Sequence, residues 1–164
     1  MNQSLNDGPG RKSLPHLPPI QFQNQSIIFF VTVCTKDRQP FLNKSAIHKL
    51  LCECWIEADS WLVGRYVVMP DHIHLFCAPS TFPPQSVQVW IKYWKSLASR
   101  HWPFSREKSI WQKGFFDRQL RHQESYHEKW NYVIENPVRA GLVRNAEDWP
   151  YQGELNVLRW SEPA

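Results

Sequence analysis

The sequence lacks the features that would place the chain in a membrane or outside the cell. It has no uninterrupted run of roughly 18 apolar residues, which excludes a transmembrane helix. Residues 1–19 are polar and rich in proline, and they lack the apolar central region of a secretory signal peptide. We therefore expect a cytoplasmic protein without a membrane partner.

Several cysteine and repeat patterns are absent as well. The 4 cysteines form neither a CxxC pair nor a zinc-ligand spacing. Three of them lie inside apolar segments, which is typical of small buried side chains in a reducing compartment. No internal repeat and no heptad array is present, so solenoid and coiled-coil architectures are excluded.

The composition suffices for one folded domain. The chain has 164 residues, of which 42% are hydrophobic and 21% charged, so it can bury a core. Lys and Arg number 19 against 15 Asp and Glu, a formal net charge of +4. This mild excess permits a polyanionic partner without requiring one, because the position of the charges matters more than their sum.

The order of the apolar patterns predicts a ferredoxin-like α+β fold. Strand patterns occupy residues 26–35, 61–69, 72–78 and part of 110–120, and helical spacing occupies 45–60, 86–101 and 123–135. This order is the split βαβ arrangement, an antiparallel sheet with helices on one face, followed by a C-terminal helix. We expect an arm at residues 1–25, the domain at 26–151 and a tail at 152–164.

Two histidines stand out in the segment MPDHIHLF. In a strand, His72 and His74 project to the same side, while Ile73 and Leu75 point to the other. Two adjacent imidazoles can bind a divalent metal through neutral ring nitrogens. The alternative is a pair of partly exposed histidines that bind nothing.

The helix predicted over 123–135 separates its two tyrosines. At about 100° per residue its apolar stripe consists of Tyr126, Trp130, Val133 and Ile134. Tyr132 and Asn136 share the opposite face, where the Tyr132 hydroxyl is a possible nucleophile. Asn136 offers an oxygen to a hard metal, but before Pro137 it is also a good N-cap, and the residues leave both roles open.

Basic residues form the third feature. On the helix at 86–101, Lys92, Lys95 and Arg100 lie opposite the apolar stripe, together with serine hydroxyls. Such a face suits phosphate contacts, although a merely solvated helix face is the alternative. Arg118 and Arg121 add positive charge just before the helix that carries Tyr132.

Taken together, these residues resemble the single-tyrosine HUH transposases of the IS200/IS605 type, and among them the REP-associated tyrosine transposases. The resemblance extends over roughly residues 11–151. It rests on five segments in order: VVMPDHIHLF, YWKS, WQKGFFDRQLR, ESYHEKWNYVIENPVRAGLV and EDWPY.

The resemblance implies metal-dependent cleavage and joining of single-stranded DNA. It assigns His72 and His74 as ligands of Mg²⁺ or Mn²⁺, and Tyr132 as the nucleophile that forms a 5′-phosphotyrosine. Asn136 corresponds to a third metal ligand, at a place where the insertion-sequence branch carries Gln. No general base is assigned, and Glu128 and Glu135, which lie beside Tyr132 on the helical wheel, are weak candidates.

The implied substrate is single-stranded DNA next to a hairpin, which would make the protein nucleoid-associated. Arg11 and Lys12 in the arm, with the basic helix face, would grip the hairpin. A monomer and a homodimer both fit the resemblance. Two alternatives stay open: a catalytically silent hairpin-binding regulator on the same fold, and a nicking enzyme of the replication-initiator or relaxase type.

Overall fold

The structure, a computed structural model, describes residues 27–159 except residue 107, and of Glu124 only the backbone. The arm predicted for residues 1–25, with Arg11 and Lys12, lies outside the described residues. The strands are β1 (Ile28–Cys34), β2 (Trp61–Val68), β3 (His72–Pro79), β4 (Phe116–Leu120) and β5 (Gln152–Glu154). The α-helices are α1 (Ser45–Glu57), α2 (Val87–Arg100), α3 (Gln123–Ile134) and α4 (Asn136–Arg139). Over this described part, no helix has the length and apolarity needed to cross a bilayer.

The strands form one antiparallel sheet in the order β4-β1-β3-β2-β5. Strand β3 lies between β1 and β2 and runs opposite to both. This is the split βαβ arrangement, so the ferredoxin-like prediction is confirmed. Each predicted helix and strand is present, with ends that shift by a few residues.

Strand β1 contributes to two cores at once. Its residues Phe29, Val31 and Val33 join the core beneath α1 and α2, whereas Ile28 and Phe30 face the other way. A strand buried on both faces needs no polar alternation, which explains the continuous apolar run. The polar exceptions come at the end of β1, and they lie next to the histidines.

The first core is rich in tryptophan. Trp61, Trp90 and Trp94 are fully buried, and the indole N–H of Trp90 donates to the carbonyl of Ala58 at 2.7 Å. Within residues 27–159, Trp102 and Trp130 are half-buried and every other tryptophan is buried. The buried indoles therefore serve packing and offer no free surface for stacking bases.

Helix α3 covers part of the sheet face that α1 and α2 leave open. Tyr126 and Val133 are buried against Phe76, and the guanidinium of Arg65 lies 5.4 Å from the ring of Trp130. The predicted break at Asn136-Pro137 is present, because α3 ends at Ile134 and the short α4 begins at Asn136.

The predicted tail is partly wrong. Residues Gln152–Glu154 form β5 and pair with β2, and Arg65 Nε donates to Glu154 Oε2 at 3.1 Å. Leu158 packs so closely on Gly64 that a Cβ at Gly64 would lie 2.7 Å from its side chain. A strand of three residues is too short to produce a readable periodicity.

We predict that Leu158→Ala destabilises the protein by roughly 1–2 kcal/mol, because it removes half-buried apolar surface from the sheet. Val157→Ala is the matched control: Val157 is 67% exposed, and its replacement should change stability by less than about 0.5 kcal/mol. Urea unfolding followed by tryptophan fluorescence compares the two. Equal stabilities of both variants would show that the packing of Leu158 on the sheet does not stabilise the fold.

Candidate active site

The pairing of β1 with β3 determines where the two histidines lie. His72 is opposite Cys34 and His74 is opposite Thr32, on the sheet face that α3 partly covers. Ile73 and Leu75 are fully buried on the other face, as the alternation predicts. The two Nε2 atoms are 3.1 Å apart. The imidazoles therefore converge on one point.

Each imidazole is oriented by a partner at its other ring nitrogen. Asp71 Oδ1 is 2.7 Å from His72 Nδ1, and Thr32 Oγ1 is 2.9 Å from His74 Nδ1. An acceptor at Nδ1 favours the tautomer that carries its proton there and leaves the Nε2 lone pair free. Asp71 and Thr32 can thus prepare both Nε2 atoms as ligands.

Arg38 fixes Asp71 in turn. Its Nε donates to Asp71 Oδ2 at 2.9 Å, from a short 3₁₀ turn in which Asp37 and Arg38 both adopt left-handed backbone angles. Burial raises the pKa of Asp71, but hydrogen bonds from His72 and Arg38 outweigh it and lower the pKa to about 2. The carboxylate is therefore ionised at neutral pH and can accept a hydrogen bond from Nδ1 of His72.

His74 is kept neutral by its surroundings. Phe30 stacks on its ring with centroids 5.3 Å apart. Burial is the main cause that lowers its pKa well below the ordinary value, and the charges of His72, Lys129, Arg38 and Arg139 lower the pKa further. A neutral imidazole is the form that binds metal.

The histidine pair fits a divalent cation. Two nitrogens that bind an octahedral ion at right angles, with bonds of about 2.1 Å, are about 3.0 Å apart. The observed Nε2 separation is 3.1 Å. Within the described range no group of three His, Cys, Asp or Glu side chains forms a metal cluster. A third protein ligand would therefore be of another type, such as the amide of Asn136.

The two tyrosines of α3 lie as the helical wheel predicts. Tyr126 is buried, whereas Tyr132 is 48% exposed. The guanidinium of Arg139 lies 4.0 Å from the centre of the Tyr132 ring, and its Nη2 donates to the Tyr132 carbonyl at 2.6 Å. Arg139 thus holds α4 against the last turn of α3, and the tyrosine side chain stays open to solvent.

Asn136 is not the N-cap of α4. Glu135 occupies the cap position without a capping side chain, and Asn136 is the first helical residue. Its Oδ1 accepts a hydrogen bond from Nη2 of Arg139. The capping interpretation is therefore wrong, and the role of Asn136 as a metal ligand stays a prediction.

A basic groove of about 340 Å³ lies between β4 and α3. Arg118, Arg121, Lys129 and Tyr132 line it, and Glu128 also borders it. The ammonium of Lys129 lies 4.6 Å from the ring centre of Phe30, and its pKa is lowered first by burial and then by the charge of Arg118. Like charges crowded beside the tyrosine make this groove attractive to phosphate.

The other predicted basic residues lie elsewhere. Lys92, Lys95 and Arg100 belong to α2, which packs on the opposite face of the sheet from the histidines. The ammonium of Lys95 donates to the carbonyls of Gln112 and Gly114, at 2.9 and 3.3 Å, and so anchors the loop before β4. The sheet therefore separates the predicted DNA contacts into two groups.

Sequence reasoning missed the residues that orient the site. Thr32 becomes a partner of His74 only through the register of β1 with β3, which no local pattern reveals. Lys129 could have been identified from the sequence, because it precedes Tyr132 by about one helical turn and shares its side of α3. Arg38 and Arg139 carry no signal beyond their charge.

Comparison with known proteins gives consistent matches. The model of the family described as "Transposase IS200 like" matches residues 23–136. A REP-associated tyrosine transposase from Escherichia coli is 26% identical over 89 residues, which cover 54% of this chain and 52% of that relative. A relative of the same family name from Haemophilus influenzae is 26% identical over 142 residues, which cover 76% of this chain and 77% of that relative. The chain thus spans about half the length of the first relative.

The fold is similar to that of a solved structure, a REP-associated tyrosine transposase bound to a REP hairpin. The TM-score is 0.66, with 21% identity, and the match covers 81% of this chain and 79% of the other. The two chains share a fold.

The lowered pKa of Asp71 makes its contribution to stability depend on pH. The folded chain stabilises the ionised carboxylate more than the unfolded chain does. The resulting contribution to the free energy of unfolding is therefore present above about pH 4 and is lost as the pH falls through about 2. We predict that Asp71→Asn costs about 1–2 kcal/mol at pH 7, and that this difference shrinks below pH 4.

Urea unfolding from pH 7 to pH 2.5 measures the difference. Asp59→Asn, at an exposed position, is the control and should cost less than about 0.5 kcal/mol at every pH. A cost for Asp71→Asn that stayed constant with pH would contradict the ionised contact with Arg38 and His72.

Proposed function

The chain belongs to the IS200-like transposase family, and we propose that it cleaves and joins single-stranded DNA beside a hairpin. Tyr132 is the nucleophile, and a divalent cation, Mg²⁺ or Mn²⁺, binds at His72 and His74. The observation that carries the proposal is the convergence of two oriented imidazoles, 3.1 Å apart at Nε2, on the sheet face beside the Tyr132 groove. Packing alone requires no such pair.

The cation would be held by Nε2 of His72, Nε2 of His74 and Oδ1 of Asn136. The Asn136 oxygen has a second lone pair besides the one that accepts from Arg139. When bound, the ion supplies positive charge to a non-bridging oxygen of the scissile phosphate. Asp71 and Thr32 keep the Nδ1 protons and so keep both imidazoles in the ligand tautomer.

The first step forms a bond between the Tyr132 oxygen and phosphorus and breaks the bond from phosphorus to the 3′ oxygen. The phenol proton passes to a base, and the leaving oxygen takes up a proton to become a free 3′-OH. A second 3′-OH then loses its proton to the base and attacks the 5′-phosphotyrosine, the bond from phosphorus to the Tyr132 oxygen breaks, and that oxygen takes up a proton. Joining needs no ATP because the phosphodiester energy is retained in the phosphotyrosine.

Residues around Tyr132 assist this step. Lys129 and Arg139 lie within 5.8 and 4.0 Å of its ring centre and offset the negative charge that develops on the phenol oxygen. Glu128 borders the same groove and is the better placed of the two glutamates to accept the phenol proton. Both roles belong to side chains that already flank the tyrosine.

We expect the single-stranded DNA to run along the basic groove between β4 and α3. Arg118 and Arg121 face phosphates there, and the flanking hairpin gives the substrate its identity. A hairpin as partner is supported by the solved relative of this fold, which is bound to a REP hairpin.

We predict an SDS-resistant protein–DNA adduct when the protein is incubated with Mn²⁺ and labelled single strands that carry imperfect palindromes. The adduct should disappear with EDTA, with Tyr132→Phe and with His72→Ala, because each removes the nucleophile or the metal. Tyr126→Phe is the matched control. Its hydroxyl is buried without a hydrogen-bond partner among the described residues, so its loss should leave the adduct intact.

The outcomes separate the three candidate functions. An adduct that survives Tyr132→Phe would place the nucleophile elsewhere. Hairpin binding without an adduct under any metal would favour a silent DNA-binding regulator. An adduct without subsequent joining at sites beside the hairpin would favour a nicking enzyme of the initiator or relaxase type.

A second prediction tests which sheet face binds the strand. Arg121→Ala should weaken single-strand binding and lower the slope of log affinity against log salt by about 0.7, the value for one lost phosphate contact. Arg100→Ala, at a position on α2 that is also exposed, should change the slope much less. Fluorescence anisotropy between 50 and 200 mM salt measures both. Equal losses would mean that DNA contacts both faces.

A further inference from the structure

One exposed aromatic residue lies in register with the histidine pair. Phe116 of β4 pairs with Thr32 of β1, and Thr32 pairs with His74 of β3. The three residues form one row across the sheet, and their backbones span about 10 Å from Phe116 to His74. Leu120 belongs to the core beneath α3, so Phe116, four residues earlier on the same strand, faces the same side as the histidines.

The ring of Phe116 is available to a ligand. It is 49% exposed, on the edge strand of the sheet. Other exposed aromatic residues exist, and a single one on a surface needs no explanation. What distinguishes Phe116 is its position one strand away from Thr32, the residue that orients His74.

Positive charge lies on the groove side of Phe116. Arg118 follows Phe116 by two residues, faces the same side and is exposed. Arg118 lies opposite Phe30, and the ammonium of Lys129 is 4.6 Å from the centre of that Phe30 ring. A planar apolar surface beside cations fits a nucleotide, whose base stacks while its phosphate pairs with the charges.

The row also fixes the place of such a nucleotide. The groove with Lys129 and Tyr132 lies on the α3 side, and Phe116 lies at the open edge of the same sheet face. A phosphate above the histidine pair would lie within about one nucleotide of the Phe116 ring. The buried tryptophans cannot take this part, which leaves Phe116 as the exposed ring in this row.

We propose that Phe116 is a base-stacking platform: an unpaired base next to the scissile phosphate stacks on its ring, and Arg118 pairs with the adjoining phosphate. The assignment rests on the proposed DNA chemistry for the identity of the phosphate at His72 and His74. It gives the edge strand β4 a function in binding the substrate.

The test combines substitution of the protein with removal of single bases. Fluorescence anisotropy at fixed salt measures binding of the full chain to the oligonucleotide that it cleaves. If it cleaves none, the oligonucleotide that it binds most tightly is used. Phe116→Ala should weaken binding by about 5- to 150-fold, the range for one lost base stack. Phe116→Tyr should bind as the wild type does, because it keeps the ring.

An abasic position is then moved along the oligonucleotide. Removal of one base next to the cleavage site should weaken binding by the wild type by a similar factor. The same removal should have little effect on binding by Phe116→Ala, because the two changes remove the same contact. Phe82→Ala is the control. Phe82 is 73% exposed, in the loop after β3 at the end of that strand remote from the histidines.

Each outcome of this test either supports or overturns the stacking platform. Additive losses at all abasic positions, or coupling only at a base far from the cleavage site, would overturn the stacking platform even if the Tyr132 adduct forms. Coupling without any adduct would support the platform while the proposed cleavage fails. Equal effects of Phe82→Ala and Phe116→Ala would show that the loss is not specific to this row.

Discussion

The antiparallel register of β1 with β3 is the constraint on which the site depends. It places Thr32 beside His74 and Cys34 beside His72, and the same pairing buries Ile73 and Leu75 in the opposite core. A shift by one residue would exchange the two faces and bury the imidazoles beneath α1 and α2. The apolar side of β3 therefore holds the histidines in position, since its burial fixes the register.

The second constraint is electrostatic. Burial lowers the pKa of His74 and keeps its imidazole neutral, and the charges of Lys129, Arg38 and Arg139 lower the pKa further. Asp71 is the carboxylate that contacts the pair, and it is engaged by His72 and Arg38. A site with a neutral His74, one paired carboxylate and surrounding cations carries little net negative charge of its own, so it favours an anionic phosphate over a further carboxylate.

The sequence predicted elements more reliably than contacts. The alternation in MPDHIHLF was enough to place both histidines on one face, and the wheel of α3 was enough to bury Tyr126 and expose Tyr132. These inferences depend on one element each. The partners Thr32 and Arg38 come from other elements, and only the assembled sheet brings them to the histidines. The helical spacing also predicts that the basic residues of α2 lie opposite its apolar stripe. The position of α2 across the sheet from the histidines is instead a property of the whole fold.

The junction of α3 and α4 shows how an exposed tyrosine is held on a firmly packed helix. Tyr126 and Val133 bury one side of α3 against β3, so the helix itself is fixed. Pro137 interrupts the helical hydrogen bonds after Ile134, and Arg139 reaches back across this break to the Tyr132 carbonyl and to Asn136. One guanidinium thereby contacts both residues to which the proposed cleavage assigns a role, Tyr132 and Asn136. The packing of α3 fixes the backbone of Tyr132, while its ring is 48% exposed and contacts the guanidinium of Arg139.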